Sequence, residues 1–486
     1  MRFHRLSFNA SGLQAVVGGW LPVAVIAFFS LFLVSTSRCL AAEKPNIVLL
    51  FADDAGYGDF GFHNSRHFRT PHLDALAKSG VRLTQFYVTG ATCGPSRAGM
   101  LSGRYQQRFG YEEINVPGIM SEHSKLLGDE MGLRTELPTM GNYLQQQGYR
   151  TAVFGKWHMG VADRYHPLKR GFDEFYGFRG GARSFYAYDN RDSTARENWI
   201  ERGFEGYQEH QGYLTNAIAD EACDFIQRSK EAPFFAYVSF NAVHTPMQAD
   251  PQDKAAFPDL QGERRTAAQM MLSMDRACGQ IIDKLNELKL ADKTIVVFTN
   301  DNGGPMDKNG SSNYPFAGVK GTQLEGGLRV PGVVAWPGKL TPGTIYQQPL
   351  STLDLIPTFV AAAGGDPATI ENLDGVNMLP YLQGDSEVRP HPTLHWKMET
   401  RSAIREGDWK LIRYPDRPAE LFDLSKDPSE QNDLAAANPE VVKELFRKQF
   451  AWELELQRPL FMLRRAEEGW SARRADQFRQ PPAEDY

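Results

Sequence analysis

The sequence predicts an α/β fold, with one large sheet and helices followed by a smaller antiparallel sheet with a packed helix. Three observations predict it. The first part of the chain repeats a short apolar strand, a polar loop and an amphipathic helix; strongly polar clusters follow three of these strands directly; and after about residue 370 the pattern changes to short extended pieces separated by turns.

Residues 46–51 (NIVLLF) form an uninterrupted apolar run of strand length, the pattern of a buried strand. Thr70 caps a helix with Pro71 at its first position and Gly80 past its end, and residues 81–88 form the next strand. Helix and strand pairs follow at 138–147 into 151–157, 213–228 into 234–240, and 263–288 into 294–299. Open α/β sheets bind ligands outside the carboxyl ends of their strands, so function is expected along that edge. Farther on, residues 401–404, 409–414 and 420–424 read as antiparallel strands, 439–454 as a helix, and 473–486, with Pro481 and Pro482, as an irregular tail. The domain plan is a leader over 1–42, an α/β domain over 43–370 and a C-terminal subdomain over 371–486.

Arg2 and Arg5, an apolar run over 21–34 and the exit Cys39-Leu40-Ala41-Ala42 have the plan of a signal peptide. The run is short for a spanning helix of roughly 20 residues, so tethering through this run is the alternative and cleavage, with no stable membrane span afterwards, is the favoured reading. It implies a periplasmic or secreted protein. The formal net charge is −6, and losing Arg2, Arg5 and Arg38 makes the chain more acidic still, which makes it a poor nucleic-acid binder. A hydrophobic content of 42% suffices for a large interior.

The four cysteines, Cys39, Cys93, Cys223 and Cys278, are too far apart for a redox or zinc motif. Cys278 falls on an apolar stripe with Met271, Met274, Ile281 and Leu285, and Cys223 sits among Ala219, Ala222 and Ile226, so both read as buried thiols; a bridge between their helices stays open. Cys93 is the odd one. It lies in ATCGPSRAGMLSGR (91–104), where Gly94 and Pro95 suit a helix start, Gly103 its end, and Cys93 and Arg97 share a face. A helix amino end beside an arginine suits an anion.

Asp53 and Asp54 follow the first strand, and Asp301 and Asn302 follow a later one within TNDNGG. Oxygen-bearing side chains at two strand ends suit a hard cation, calcium first and magnesium second; zinc would want a His/Cys cluster, which the spacing does not show. Lys156 and His158 in FGKWHMG leave one face of an extended segment. His244 in NAVHTP and Lys320 in GVKGTQLEGG complete the candidates, although each of these four, taken alone, reads equally well as a turn or surface residue.

Cys93-Gly94-Pro95-Ser96-Arg97 resembles the C-x-P-S-R signature of the type I sulfatases. NIVLLFADDAGYGD, TPHLDALAKSGVRLTQFY, GYRTAVFGKWHMG, HPLKRGFDEFYGF, VHTP, TNDNGG, KGTQLEGGLRVP and ELFDLSKDPSEQNDLA resemble family segments in family order, so the resemblance spans nearly all of 44–437. Among sulfatases the likeness is to the arylsulfatase and N-acetylgalactosamine-6-sulfatase kind. It implies an alkaline-phosphatase-like mixed sheet sandwiched by helices, and a sulfuric ester hydrolase.

The resemblance further implies that Cys93 is converted by a formylglycine-generating maturase to Cα-formylglycine, whose hydrate attacks sulfur through one hydroxyl and expels sulfate through the other. By motif, Asp53, Asp54, Asp301 and Asn302 resemble calcium ligands, with the modified Cys93 and the substrate sulfate completing the sphere. Arg97, Lys156 and Lys320 would hold the modified residue and neutralise charge on the sulfuryl oxygens. His158 would act as the base and His244, with Lys320, would assist the leaving oxygen. The substrate class is a sulfated small molecule or glycan. A phosphate or phosphonate ester hydrolase and a non-catalytic sulfoglycan-binding protein are the alternatives; two-zinc relatives carry an Asp-His pair where this chain has Asp301-Asn302. His123, His166, Arg170 and Arg183 lie in loops able to line a leaving-group pocket, but for each of them surface is the simpler reading.

Overall fold

Strand β1 (Asn46–Ala52) is buried at all seven positions. Ile47, Leu49 and Phe51 enter one apolar layer while Val48, Leu50 and Ala52 enter the other, as alternate residues of a strand covered on both faces must. The computed structural model describes residues 44–116, 119–188, 195–464 and 469–484; the expected leader over 1–42 lies outside the described residues.

The large sheet adds β2 (Val81–Tyr87), β3 (Arg150–Lys156), β4 (Glu174–Phe178), β5 (Glu201–Arg202), β6 (Phe234–Ser239), β7 (Thr294–Asn300), β8 (Arg329–Ala335), β9 (Thr344–Tyr346) and β10 (Leu350–Ser351). Its ten strands run in the order β10-β2-β8-β7-β1-β6-β3-β4-β5, with β9 beside β2. The centre, β7-β1-β6-β3-β4, is parallel, so the carboxyl ends of these strands share one edge. β8 is antiparallel to both β2 and β7, which makes the sheet mixed. Pro331 and Gly332 weaken the strand signal of β8, and the sequence pattern did not single it out.

Helices Pro71–Ser79, Leu214–Ser229 and Gly262–Glu287 cover one face through Leu73, Ile218 and Met271. Helices Cys93–Ser102, Met140–Gln146 and Leu355–Ala362 cover the other through Leu101, Leu144 and Phe359. Cys223 and Cys278 are buried and free; the Cys223 thiol approaches the Gln280 carbonyl at 3.7 Å instead of forming a bridge. No helix among the described residues is long and apolar enough to cross a membrane.

The second sheet is antiparallel: β11 (Thr393–Met398), β12 (Arg401–Glu406), β13 (Trp409–Arg413) and β14 (Glu420–Asp423). Helix Pro439–Glu453 packs Leu445 onto Ile404, Leu411 and Leu421. Trp396 Nε1 donates to the Val88 carbonyl at 2.7 Å, and buried Lys410 joins Glu325 and Glu430 at 2.9 and 2.8 Å, so this sheet is fastened beside the loops that follow β2 and precede β8. The tail expected to be irregular from residue 473 instead begins inside a helix, Trp470–Gln477, with Ser471, Ala472, Arg474 and Ala475 buried. Pro481 and Pro482 lie past its end and stop it without preventing it.

Candidate active site

Cys93 is the first residue of helix Cys93–Ser102, which follows the loop after β2. Thr92 is extended before it, and Gly103 closes it in the left-handed region (φ 67°), its N–H donating to the Gly99 carbonyl at 2.9 Å. All ten helix residues are buried, so Cys93 is presented by a rigid core element. Burial would raise its thiol, but Lys156 and Lys320 outweigh burial and hold it well below its ordinary value. Lys320 Nζ stands 3.1 Å from Cys93 Sγ and donates to both Asp54 carboxylate oxygens at 2.7 and 2.8 Å.

The carboxyl ends of β1, β6 and β7 converge here. Asp53 N donates to the Ala242 carbonyl at 2.9 Å, Asp54 N to Asp301 Oδ1 at 3.2 Å, and Asn309 Nδ2 to the carbonyls of Asp54 and Val243 at 2.9 and 3.1 Å. Lys156, at the end of β3, ion-pairs with Asp53. Burial would raise the Asp54 carboxyl, yet Lys320, His244 and Lys156 hold it below the ordinary carboxylate range; burial and the neighbouring Asp53 push Asp301 up. Asp54 and His158 both adopt φ of 61°, a left-handed backbone rare for non-glycine residues and kept where a site imposes it.

Arg97 is fully buried beneath this cluster. Its guanidinium donates to Asp301 Oδ2 at 2.9 and 3.0 Å, to Tyr237 Oη at 3.2 Å and to Ser239 Oγ at 2.6 Å. Arg97 lies one helical turn from Cys93, as the spacing predicts, and also anchors Asp301.

His158 lies past β3, where Trp157 and His158 continue the pairing by donating to the Phe178 and Arg179 carbonyls. Its ring is buried beside the Cys93 thiol, and burial pushes its pKa down to about 4. A Cβ on Gly181 would sit 2.6 Å from His158 Nε2, so glycine there leaves room for the ring. His244 Nδ1 lies 2.7 Å from the Thr245 carbonyl and its Nε2 3.4 Å from Asp54 Oδ2. Burial alone would lower His244, but Asp54 and Asp53 raise it above its ordinary value.

Asp53, Asp54, Cys93 and His244 offer ligand atoms that all lie within 4.8 Å of one another. The family resemblance already places Cys93 beside the aspartates; His244 is the member of this group that the sequence reading does not include. Two buried oxygens, Asp53 Oδ1 and Asn302 Oδ1, accept no hydrogen bond. Unmet lone pairs on buried oxygens, beside crowded carboxylates, fit a hard cation.

Residues 45–365 match the family model described as Sulfatase, and residues 320–458 the model described as N-sulphoglucosamine sulphohydrolase, C-terminal. The chain belongs to the sulfatase family. This sulfatase is 32% identical over 409 residues to the N-acetylgalactosamine-6-sulfatase of Canis lupus familiaris, covering 80% of this chain and 76% of the relative. It is 29% identical over 521 residues to the steryl-sulfatase of Homo sapiens, covering 85% and 88%. The solved structure of Ps i-CgsB superposes with a TM-score of 0.80 at 34% identity, over 89% of this chain and 97% of that one. A phosphonate monoester hydrolase of Agrobacterium radiobacter shares the fold, with a TM-score of 0.61 at 18% identity over 87% and 100%. The sulfatase is therefore an enzyme of the alkaline-phosphatase-like superfamily.

In this sulfatase Cys93, His158, His244 and Lys320 line a cleft of about 400 Å³. Sequence reasoning missed its polar walls, Asn115, Asp129, Arg179, Glu197 and Asn198, which come from loops without motif character. Of the four residues considered for this role, none lines the cleft. His123 is exposed, but the other three are not surface residues as expected. His166 stacks on Phe204 and accepts from Leu168 N, Arg170 donates to the Leu133 and Leu137 carbonyls, and Arg183 pairs with Glu209.

Proposed function

We propose that this sulfatase hydrolyses a sulfate monoester on a carbohydrate, with Cys93 converted to Cα-formylglycine and a calcium ion, or secondarily magnesium, at Asp53, Asp54, Asp301 and Asn302. The observation that carries the reading is the Lys320 ammonium, which joins the Asp54 carboxylate to Cys93 Sγ at the cleft. The hydrated aldehyde would supply the nucleophilic hydroxyl, and the cation would supply Lewis-acid stabilisation of anionic sulfate oxygens.

The chain's own residues do the rest. Lys156 and Lys320 offset the charge of an incoming sulfate among three carboxylates, and Arg97 fixes Asp301 in place. His158, buried at the cleft beside Cys93, takes a proton from the nucleophile side. His244 Nδ1 donates to the Thr245 carbonyl, which leaves Nε2 to deliver a proton to the departing alcohol oxygen, with Lys320 beside it.

Asn115, Asp129, Glu197 and Asn198 offer partners to hydroxyl groups in an otherwise mainly apolar cleft, which supports a carbohydrate. The name of the N-acetylgalactosamine-6-sulfatase relative and the solved complex of Ps i-CgsB with k-i-k-neocarrahexaose support this choice. The catalytic machinery falls in 43–370, with 371–486 as a subdomain. The leader-like 1–42 supports export to the periplasm or beyond, and the Cys93-Gly94-Pro95-Ser96-Arg97 signature supports a formylglycine-generating maturase as a partner.

Mass spectrometry of the peptide containing Cys93, with turnover of nitrophenyl sulfate and nitrophenyl phosphate, tests the reading. We expect the aldehyde mass, sulfate strongly preferred over phosphate, and loss of turnover in a folded Cys93→Ala variant. An active enzyme with an unmodified thiol, or an active Cys93→Ala, would overturn the nucleophile; preference for phosphate would overturn the substrate.

A further inference from the structure

A second cavity, of about 300 Å³, adjoins the cleft. The two share Ile114, His244 and Lys320, so they meet at the reaction centre. Each is of a size that small ligands occupy, ~300–1,000 Å³. The second cavity is mainly apolar, with a few polar groups at its edge. Trp470, Pro305 and Leu463 give it apolar surface, and Lys308 and Thr245 give it polar edges.

Trp470 is held in place by its surroundings. Gly321, next to Lys320, has φ of +87°, and a Cβ there would lie 2.0 Å from the indole Cζ3, so glycine is what admits the ring. Ser471 Oγ donates to the Gly321 carbonyl, and the Arg474 guanidinium lies 5.0 Å from the centre of the Trp470 ring. A preorganised indole beside a reaction centre costs little further ordering when a ligand arrives.

We propose that this cavity is a subsite for the sugar ring adjoining the sulfated one, with Trp470 packing against the C–H face of that ring. The proposal rests on the carbohydrate-sulfatase reading. A pyranose has one apolar face and a hydroxyl-bearing rim, which matches an indole flanked by Lys308 and Thr245; a sterol has no such rim. The enzyme therefore acts on sulfated oligosaccharides in preference to sulfated monosaccharides.

The test compares kcat/KM on pairs of probes: sulfated galactan and glycosaminoglycan tetrasaccharides, each against its own monosaccharide sulfate, with nitrophenyl sulfate and a sterol sulfate as references. For the pair turned over fastest, the tetrasaccharide should win. In Trp470→Ala the tetrasaccharide to nitrophenyl sulfate ratio should fall on the order of tenfold, chiefly through KM, the scale of one lost ring contact. Trp470→Phe should keep most of the ratio. A monosaccharide used as well as its tetrasaccharide, or a Trp470→Ala that slows every substrate in proportion, overturns the subsite and leaves the sulfatase reading intact. Turnover confined to nitrophenyl or sterol sulfate overturns the carbohydrate reading and the subsite with it.

Discussion

The Arg474 guanidinium donates to the backbone carbonyl of Lys320 at 3.2 Å, from a helix 154 residues downstream. It also pairs with Asp307 through two hydrogen bonds of 2.7 and 2.8 Å. Asp307 belongs to the short helix after Asp301 and Asn302, so Arg474 ties the loop of the reactive lysine to the loop of the expected metal ligands.

Arg474 is then a positioning residue. Arg474→Ala should lower kcat on nitrophenyl sulfate by about tenfold, because a charge displaced by a fraction of an ångström loses much of its effect on the transition state. Adding Asp307→Ala should cost little more, as the two act as one unit. A double variant with multiplied losses in a kinetic double-mutant cycle would show that they act separately.

Chelation followed by calcium titration should raise Tm in a concentration-dependent way, because an ion that binds only the folded state stabilises it by mass action. Asn302→Ala removes the unpartnered Oδ1 and should flatten that response. Calorimetry reads this without turnover. Stoichiometric zinc in active protein, with no calcium or magnesium, would rule the assignment out.

The two histidines should separate by leaving group. His244→Ala should slow a sulfated sugar by about 100-fold, the scale of general acid catalysis, and slow nitrophenyl sulfate less, since nitrophenolate departs without a proton. His158→Ala should slow both alike. Equal losses in His244→Ala, with leaving-group dependence in His158→Ala, would reverse the two roles.

Acid sensitivity should trace in part to His166. Burial lowers its pKa from 6.5 to about 3, so the unfolded chain binds more protons than the folded one between those values. The stability contribution is fully present above pH 6.5 and is lost as pH falls toward 3. His166→Gln should reduce the drop in Tm between pH 7 and pH 5. An unchanged drop in thermal melts at both pH values would place the acid sensitivity elsewhere.

Much of the fold and part of the site were legible in the sequence because their signals are local. The apolar run of β1, Pro71 at a helix start and Gly103 at a helix end depend on neighbours within a few residues. The polar clusters at Asp53, Cys93 and Asp301 followed strands or opened a helix in view, and their resemblance to one family pointed to the chemistry before any contact was known.

Only the tertiary structure decided which groups meet. Arg97 finds Tyr237, Ser239 and Asp301 across separations of 140, 142 and 204 residues, which no local pattern shows. Cys93 and His244 reach Asp53 and Asp54 only because β1 and β6 lie side by side in parallel, with the amino end of helix Cys93–Ser102 at the edge where they end. β8 enters the sheet antiparallel despite Pro331, and the Trp470–Gln477 helix closes on Lys320 although its own sequence reads as a tail. A residue's local pattern sets the backbone it prefers; its partner is whatever buried group the folded chain leaves unmatched nearby, and that is a property of the whole packing.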